Sequence, residues 1–291
     1  MEKAIKIFDF KKGLPFEFEI KDLSIIKKSP RLFSGPFKAT FYQLIWLSEG
    51  EATLSIDFRN ITIKAGEAVI ISVNQVYSMD IRSEYQGKMI LFTDSFFNRT
   101  KQDSLCLYSS NIMNPVQLNQ VIRYLPQYME SLLFLFETEL KSASDIFQSD
   151  IVQRFLSALL LESERIVTSK NAENIHINEK NIARIFFNEV EKYFKTSRKV
   201  EFYTDKLIVY EKTLSREVKT LSGKTPKQYI DTRIILEAKR LLAYSTLSIK
   251  EIGFELGWDE ATNFNKFFKK HTGVTPLDFR EKYTMTEIYH N

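Results

Sequence analysis

Two stretches in the last third of the chain spell one pattern twice. The first runs Leu214-Ser215-Arg216-Glu217-Val218-Lys219, then Gly223-Lys224-Thr225-Pro226, and reaches Tyr229. The second runs Phe264-Asn265-Lys266-Phe267-Phe268-Lys269, then Gly273-Val274-Thr275-Pro276, and reaches Phe279. An offset of 50 residues places Leu214 on Phe264, Arg216 on Lys266, Lys219 on Lys269 and Gly223 on Gly273, with the Thr-Pro pairs in register. Repetition at such a period means that one supersecondary unit is built twice. Each copy reads as a short helix, a turn and a basic second helix.

The second copy is the easier to read physically. Ser248-Ile249-Lys250-Glu251 is a capping box that starts a helix carrying Ile252 and Leu256. Gly257 ends it, Trp258 follows, and Asp259 and Glu260 place acidic groups at the start of the next helix. That helix carries Phe264, Phe267 and Phe268 on one face and Thr262, Asn263, Asn265, Lys266, Lys269 and Lys270 on the other. Thr275-Pro276 then opens a third helix as an N-cap followed by a proline at the first helical position. A short helix, a tight turn and a polar-faced helix make a helix-turn-helix, whose second helix is suited to the DNA major groove. One polar helix face alone would signify only a solvated surface; two copies with matched glycine, Thr-Pro and basic positions signify more.

Residues 184–283 resemble the DNA-binding domain of the AraC/XylS family of bacterial transcription regulators. The resemblance is carried by Ile249-Lys250-Glu251-Ile252-Gly253-Phe254-Glu255-Leu256-Gly257-Trp258, by Phe264 through Pro276, and by Phe279-Arg280. Gly253, Trp258 and Thr262 are small departures from the family pattern. The first copy departs further: Leu207-Ile208-Val209-Tyr210 puts Ile208 at a turn glycine and Tyr210 at a capping serine. The resemblance implies base-facing roles for Thr262, Asn263, Asn265 and Lys266 in the second head and for Lys212, Thr213, Ser215 and Arg216 in the first. Lys219, Lys269 and Lys270, farther along their helices, are expected at phosphates. Between the heads, Lys227 to Tyr244 reads as one long helix; in the family it sets the heads in consecutive major grooves, about 34 Å apart in B-DNA. Arg233, Lys239 and Arg240 on it read as solvated charges, with contact to the DNA backbone as the alternative.

The N-terminal region reads as β structure. Leu54, Ile56 and Phe58 alternate with polar residues, Asn60 reads as a turn, and Ile61 and Ile63 resume the alternation. Ala65-Gly66-Glu67 turns into the apolar run Ala68 to Val73, and Lys88 to Phe92 supplies another strand. Short strands at this spacing suit a barrel or sandwich. From about Tyr128, apolar residues recur at three- and four-residue steps, as in helices. Residues 162–181 are polar and read as a linker, or alternatively as a continuation of the preceding helix. The family resemblance implies an N-terminal cupin-like barrel that binds a small effector, followed by dimerising helices. Phe41, Tyr42, Trp46 and Tyr77 are the candidate effector-pocket residues. Leu132, Leu133, Phe136, Leu156, Leu159 and Leu160 make a candidate dimer seam, with packing against the barrel as the alternative.

The expected architecture is therefore α+β: a cupin-like barrel over 1–127, a helical dimerisation segment over 128–166, a linker over 167–183 and an all-α double helix-turn-helix domain over 184–291. Charge distribution agrees, since residues 181–291 hold 20 Lys and Arg against 15 Asp and Glu, whereas the remainder holds 21 against 22. The three histidines, His176, His271 and His290, lie outside the expected barrel, which opposes a metal-dependent cupin enzyme; no metal or cofactor is expected. The run Leu132-Leu133-Phe134-Leu135-Phe136 is far shorter than the roughly 18 apolar residues of a membrane span. The charged start Met1-Glu2-Lys3 lacks an apolar signal core, and the lone Cys106 suits a reducing compartment, so a cytoplasmic location is expected. The expected partners are double-stranded promoter DNA, a small-molecule effector and a second copy of the chain, with RNA polymerase a further candidate. A regulator that needs no ligand is the competing reading.

Overall fold

In the computed structural model, residues 5–29, 33, 35–80, 82–97, 112–114, 116, 121–169 and 182–286 are described. Two compact units divide the chain, residues 6–177 and 178–291. Cys106, His176, His290 and the 170–181 part of the expected linker lie outside the described residues.

The first unit is a curled nine-stranded sheet organised around one long strand, with helices on one face. The strands are β1 (Lys6–Phe8), β2 (Phe18–Asp22), β3 (Phe37–Ala39), β4 (Tyr42–Ile56), β5 (Arg59–Lys64), β6 (Glu67–Ile71), β7 (Val76–Met79), β8 (Tyr85–Phe92) and β9 (Ile122–Arg123). The first half of β4 pairs antiparallel with β6 and β8, and its second half with β5 and β7. One strand thus serves both ends of the curl, which makes a half-barrel rather than a flat sheet. A register shift between Leu47 and Glu49 marks the change of partners. The short helices α1 (Ser24–Lys28) and α2 (Asp94–Phe97) flank the strands.

Strand alternation gives the sheet two cores. Ile45, Leu47, Val69, Ile71, Met89 and Leu91 point into the curl, together with Phe37 and Tyr77. Leu44, Trp46, Ala68, Ile70, Ile90 and Phe92 point to the other face, where α3 (Pro126–Lys141) and α4 (Gln148–Ser169) cover them. Successive side chains leave a strand on opposite sides, so each neighbour in sequence belongs to the other core.

Three sequence expectations change here. The β4–β5 turn falls at Asp57-Phe58, both at positive φ, and Asn60 is paired with Ser55 inside the ladder. Asp57 holds that conformation by accepting hydrogen bonds from Gln75 Nε2 at 2.9 Å and the Val76 amide at 3.2 Å, ties that cross from another strand. The 162–169 part of the expected linker continues α4. The six residues of the candidate dimer seam, Leu132, Leu133, Phe136, Leu156, Leu159 and Leu160, are all buried in the core between helices and sheet. Their apolar faces are therefore already covered within one chain.

The second unit is all helical: α5 (Ile182–Tyr193), α6 (Val200–Leu207), α7 (Glu211–Ser222), α8 (Pro226–Tyr244), α9 (Ile249–Glu255), α10 (Ala261–Thr272) and α11 (Pro276–Thr286). The repeated Thr-Pro pairs start α8 and α11 in the same way. Thr225 Oγ1 accepts from the Gln228 amide at 3.2 Å while Gln228 Oε1 accepts from the Thr225 amide at 2.9 Å. Thr275 and Asp278 make the equivalent pair at 3.2 Å in each direction. Each reciprocal pair satisfies two amides that a helix start would otherwise leave open.

Helix α8 stands between the two copies and carries a buried charge cluster. Arg233 and Arg240 are each only 5% exposed, which corrects their reading as solvated charges. Arg233 Nε lies 2.8 Å from Glu191 on α5, and Glu237 lies 2.9 Å from Arg233 and 3.2 Å from Arg240. Charges removed from water must be paired, and here they are. Arg280 on α11 donates to the Leu242 and Leu247 carbonyls at 3.1 and 2.7 Å, tying the last helix to the end of α8.

Candidate nucleic-acid interface and barrel cavity

Helices α6–α7 and α9–α10 are the two helix-turn-helix units. In the second, the Ser248–Glu251 capping box forms as its spacing predicts, with the Glu251 amide 3.2 Å from Ser248 Oγ and the Ser248 amide 2.7 Å from Glu251 Oε2. Gly257 follows α9 at φ +82° and opens the turn. Trp258 fills the angle between the helices, 5.4 Å from the Phe264 ring and 4.9 Å from Phe267, with the Arg198 guanidinium 4.1 Å from its ring centroid on another side. Phe264 and Phe268 are fully buried, which fixes the rotation of α10 about its axis. Thr262, Asn263, Asn265, Lys266, Lys269 and Lys270 are consequently all exposed.

The first unit is built to the same plan with a tighter turn. Ile208 caps α6 at φ +55° and Tyr210 stands at the N-cap of α7 without a side-chain cap bond. Ile208 is 91% exposed, so its β-branched side chain meets no neighbour that would aggravate the left-handed backbone. Leu214 and Val218 seat α7 as Phe264 and Phe268 seat α10. Lys212, Arg216 and Lys219 are exposed, whereas Thr213 and Ser215 are half-buried. Arg216 also donates to Glu217 Oε1 at 3.0 and 3.2 Å, so this face carries an acid beside its arginine. The chemistry of the two faces differs: amides and lysines on α10, a partly neutralised arginine on α7.

Within the first unit, the inside of the curl holds a cavity of about 210 Å³. Phe41 and Tyr77 line it, together with Phe8, Phe10, Phe33, Phe37 and Gln43. Tyr42 and Trp46 lie on the opposite face of β4, against the helices, because even-numbered positions of that strand face away from the curl. Gln43 escaped the sequence reading; its signal was a polar residue within an otherwise apolar strand segment. It is 3% exposed, and Tyr77 donates its hydroxyl proton to the Gln43 side-chain carbonyl. At the mouth, Lys21 pairs with Glu19 at 3.2 Å and Asp9 accepts from the Thr40 hydroxyl at 3.0 Å. No helix among the described residues is long and apolar enough to cross a membrane.

A family model described as a helix-turn-helix domain matches residues 203–282. The HTH-type transcriptional activator RhaS of Escherichia fergusonii is 27% identical over 92 residues, covering 32% of this chain and 33% of that protein. RhaS of Citrobacter koseri is 28% identical over 81 residues, 28% of this chain and 29% of that one. The chain thus spans about a third of the length of the curated relatives it matches. Among solved structures, ToxT from Vibrio cholerae bound to an unsaturated fatty acid is similar at 16% identity and a TM-score of 0.42, covering 93% of this chain and 97% of that one. The matched span takes in both turns and both outward-facing helices, so the C-terminal unit carries a helix-turn-helix domain similar to that of these transcriptional activators.

Proposed function

We propose that the chain is a sequence-specific DNA-binding transcription regulator whose N-terminal unit responds to a small molecule. The observation that carries this reading is the outer face of α10. Thr262, Asn263, Asn265 and Lys266 are exposed while the interleaved Phe264 and Phe268 are buried, so one helix face is fully committed to the core and the other is free. Asn suits adenine edges and Lys suits guanine acceptors in the major groove. Lys269 and Lys270, one turn on, are placed for phosphate. In the first head, Lys212 and Arg216 are the stronger base-reading candidates; Thr213 and Ser215 are less presented, and Lys219 serves the backbone. The second head then supplies most of the base discrimination, and the first supplies register.

The cavity inside the curl supports the effector-responsive version of this reading over a ligand-independent one. Phe41 and Tyr77 are its proposed contacts. A homodimer is proposed through the outer surface of α3 and α4, where Phe134, Leu135 and Leu161 are exposed, with Ile146 and Phe147 in the connection between the helices. These five replace the buried seam residues as the surface to mutate. The working location is the cytoplasm, where promoter DNA is found.

Selection of genomic fragments by the full chain at about 150 mM salt, with excess competitor DNA, tests the central reading. Recovery of a few promoter fragments sharing a short motif is the expected result. Uniform recovery that collapses with salt, with and without added metabolites, would reject sequence-specific regulation.

A further inference from the structure

The Gln43–Tyr77 pair gives the cavity a chemical preference, and this inference rests on the effector reading above. Tyr77 is wholly buried and its burial holds the hydroxyl protonated, so the hydroxyl has a proton to donate. The Gln43 carbonyl takes that proton. Turning the amide round would leave the phenol proton without an acceptor in a buried site, a loss that a buried donor pays in full. The orientation of Gln43 is therefore set from behind, and its –NH₂ group is left for the cavity. Among the described residues that nitrogen has no hydrogen-bond partner. A buried amide donor that opens onto an aromatic cavity lacks one thing, an acceptor.

Size and charge narrow the class. A cavity of 150 Å³ lined by apolar side chains holds a benzene, so about 210 Å³ suits one ring with a short substituent. The walls supplied by Phe8, Phe33, Phe37 and Phe41 favour a flat apolar body. The acids Asp9 and Glu19 and the base Lys21 at the mouth are already engaged with protein groups, and Lys11, which also lines the cavity, is exposed to solvent. An ionised ligand would enter the curl without a buried counter-charge. We propose that the cavity binds a small neutral aromatic molecule bearing one hydrogen-bond acceptor, such as an aryl carbonyl, which the Gln43 amide reads.

Isothermal titration of the full chain with acetophenone, ethylbenzene and benzoate tests this. Acetophenone and ethylbenzene share shape and differ in the acceptor; benzoate adds the charge. The expected result is about tenfold tighter binding of acetophenone than of ethylbenzene, the worth of one hydrogen bond, with benzoate weakest. Gln43→Leu should abolish that ratio while ethylbenzene still binds. Should Gln43→Leu fail to fold, Tyr77→Phe frees the amide to turn, and the preference for acetophenone should shrink in that variant. Equal binding of acetophenone and ethylbenzene by the unaltered chain would overturn the acceptor preference but leave the effector cavity standing. Preferred binding of benzoate would overturn the neutral class alone. Binding of none of the three would overturn the inference and remove the cavity's support for an effector.

Discussion

Gly257 presses its α-carbon against the backbone of Lys195: a β-carbon built on it would lie 2.1 Å from the Lys195 carbonyl oxygen. The turn of the second helix-turn-helix is thereby held both by its left-handed backbone and by contact with a segment about sixty residues earlier. Gly257→Ala is expected to destabilise the C-terminal unit by at least about 2 kcal/mol, since the left-handed conformation alone costs roughly 1–2 kcal/mol. Urea unfolding of the full chain checks it. An unchanged midpoint would show that the turn does not sit against Lys195.

Ile208 occupies the equivalent turn in the first copy but faces open solvent. Replacing it with glycine removes the left-handed strain and sacrifices no burial. Ile208→Gly is expected to stabilise by about 0.5–1 kcal/mol, the strain relieved less the extra chain entropy of glycine. A rise in the thermal midpoint would agree; a fall would mean that the Ile208 side chain makes a contact worth more than its strain.

The Glu237 carboxyl sets an acid limit on the second unit. Burial alone would raise it, but Arg233 and Arg240 outweigh burial and hold it down at about 2. Because the folded value lies below the ordinary one near 4.5, the stabilisation is fully present above that pH and disappears as pH falls through about 2. Glu237→Gln should cost about 3 kcal/mol at pH 7 by leaving two buried arginines short of an anion. The gap between the variant and the unaltered chain should close between pH 4 and 2. A gap independent of pH would assign the loss to packing.

Lys266 and Lys269 separate reading from holding. Lys266→Ala is expected to weaken binding to a selected promoter fragment more than to random DNA. Lys269→Ala should weaken both alike and lower the salt slope by about 1. Equal losses for Lys266→Ala on the two DNAs would move the base-reading role elsewhere on α10.

The parts of this molecule legible in sequence are those decided within a few residues. The Ser248–Glu251 box, the Thr225 and Thr275 starts and the phenylalanine spacing of α10 are local devices, and each forms where its spacing says. Relationships that join distant segments were not legible. Arg233 looks solvated on its own helix because its partner Glu191 lies 42 residues earlier. The β4–β5 turn forms at Asp57-Phe58 because Gln75 and Val76 reach across to Asp57. The cavity walls come from Phe8, Phe33 and Phe41 on separate segments, and whether Trp46 or Gln43 faces inward depends on a strand parity that residue type alone does not reveal.

That parity has a mechanical meaning. Gln43 and Leu44 are joined by a single peptide bond, yet one borders the cavity and the other packs under α3 and α4. Strand β4 is a shared wall with a cavity on one side and a packed core on the other. Interiors packed to crystal density do not cushion a displacement; they pass it on. A molecule bound in the cavity would therefore load the helical side through the same backbone, with no hinge or relay between them.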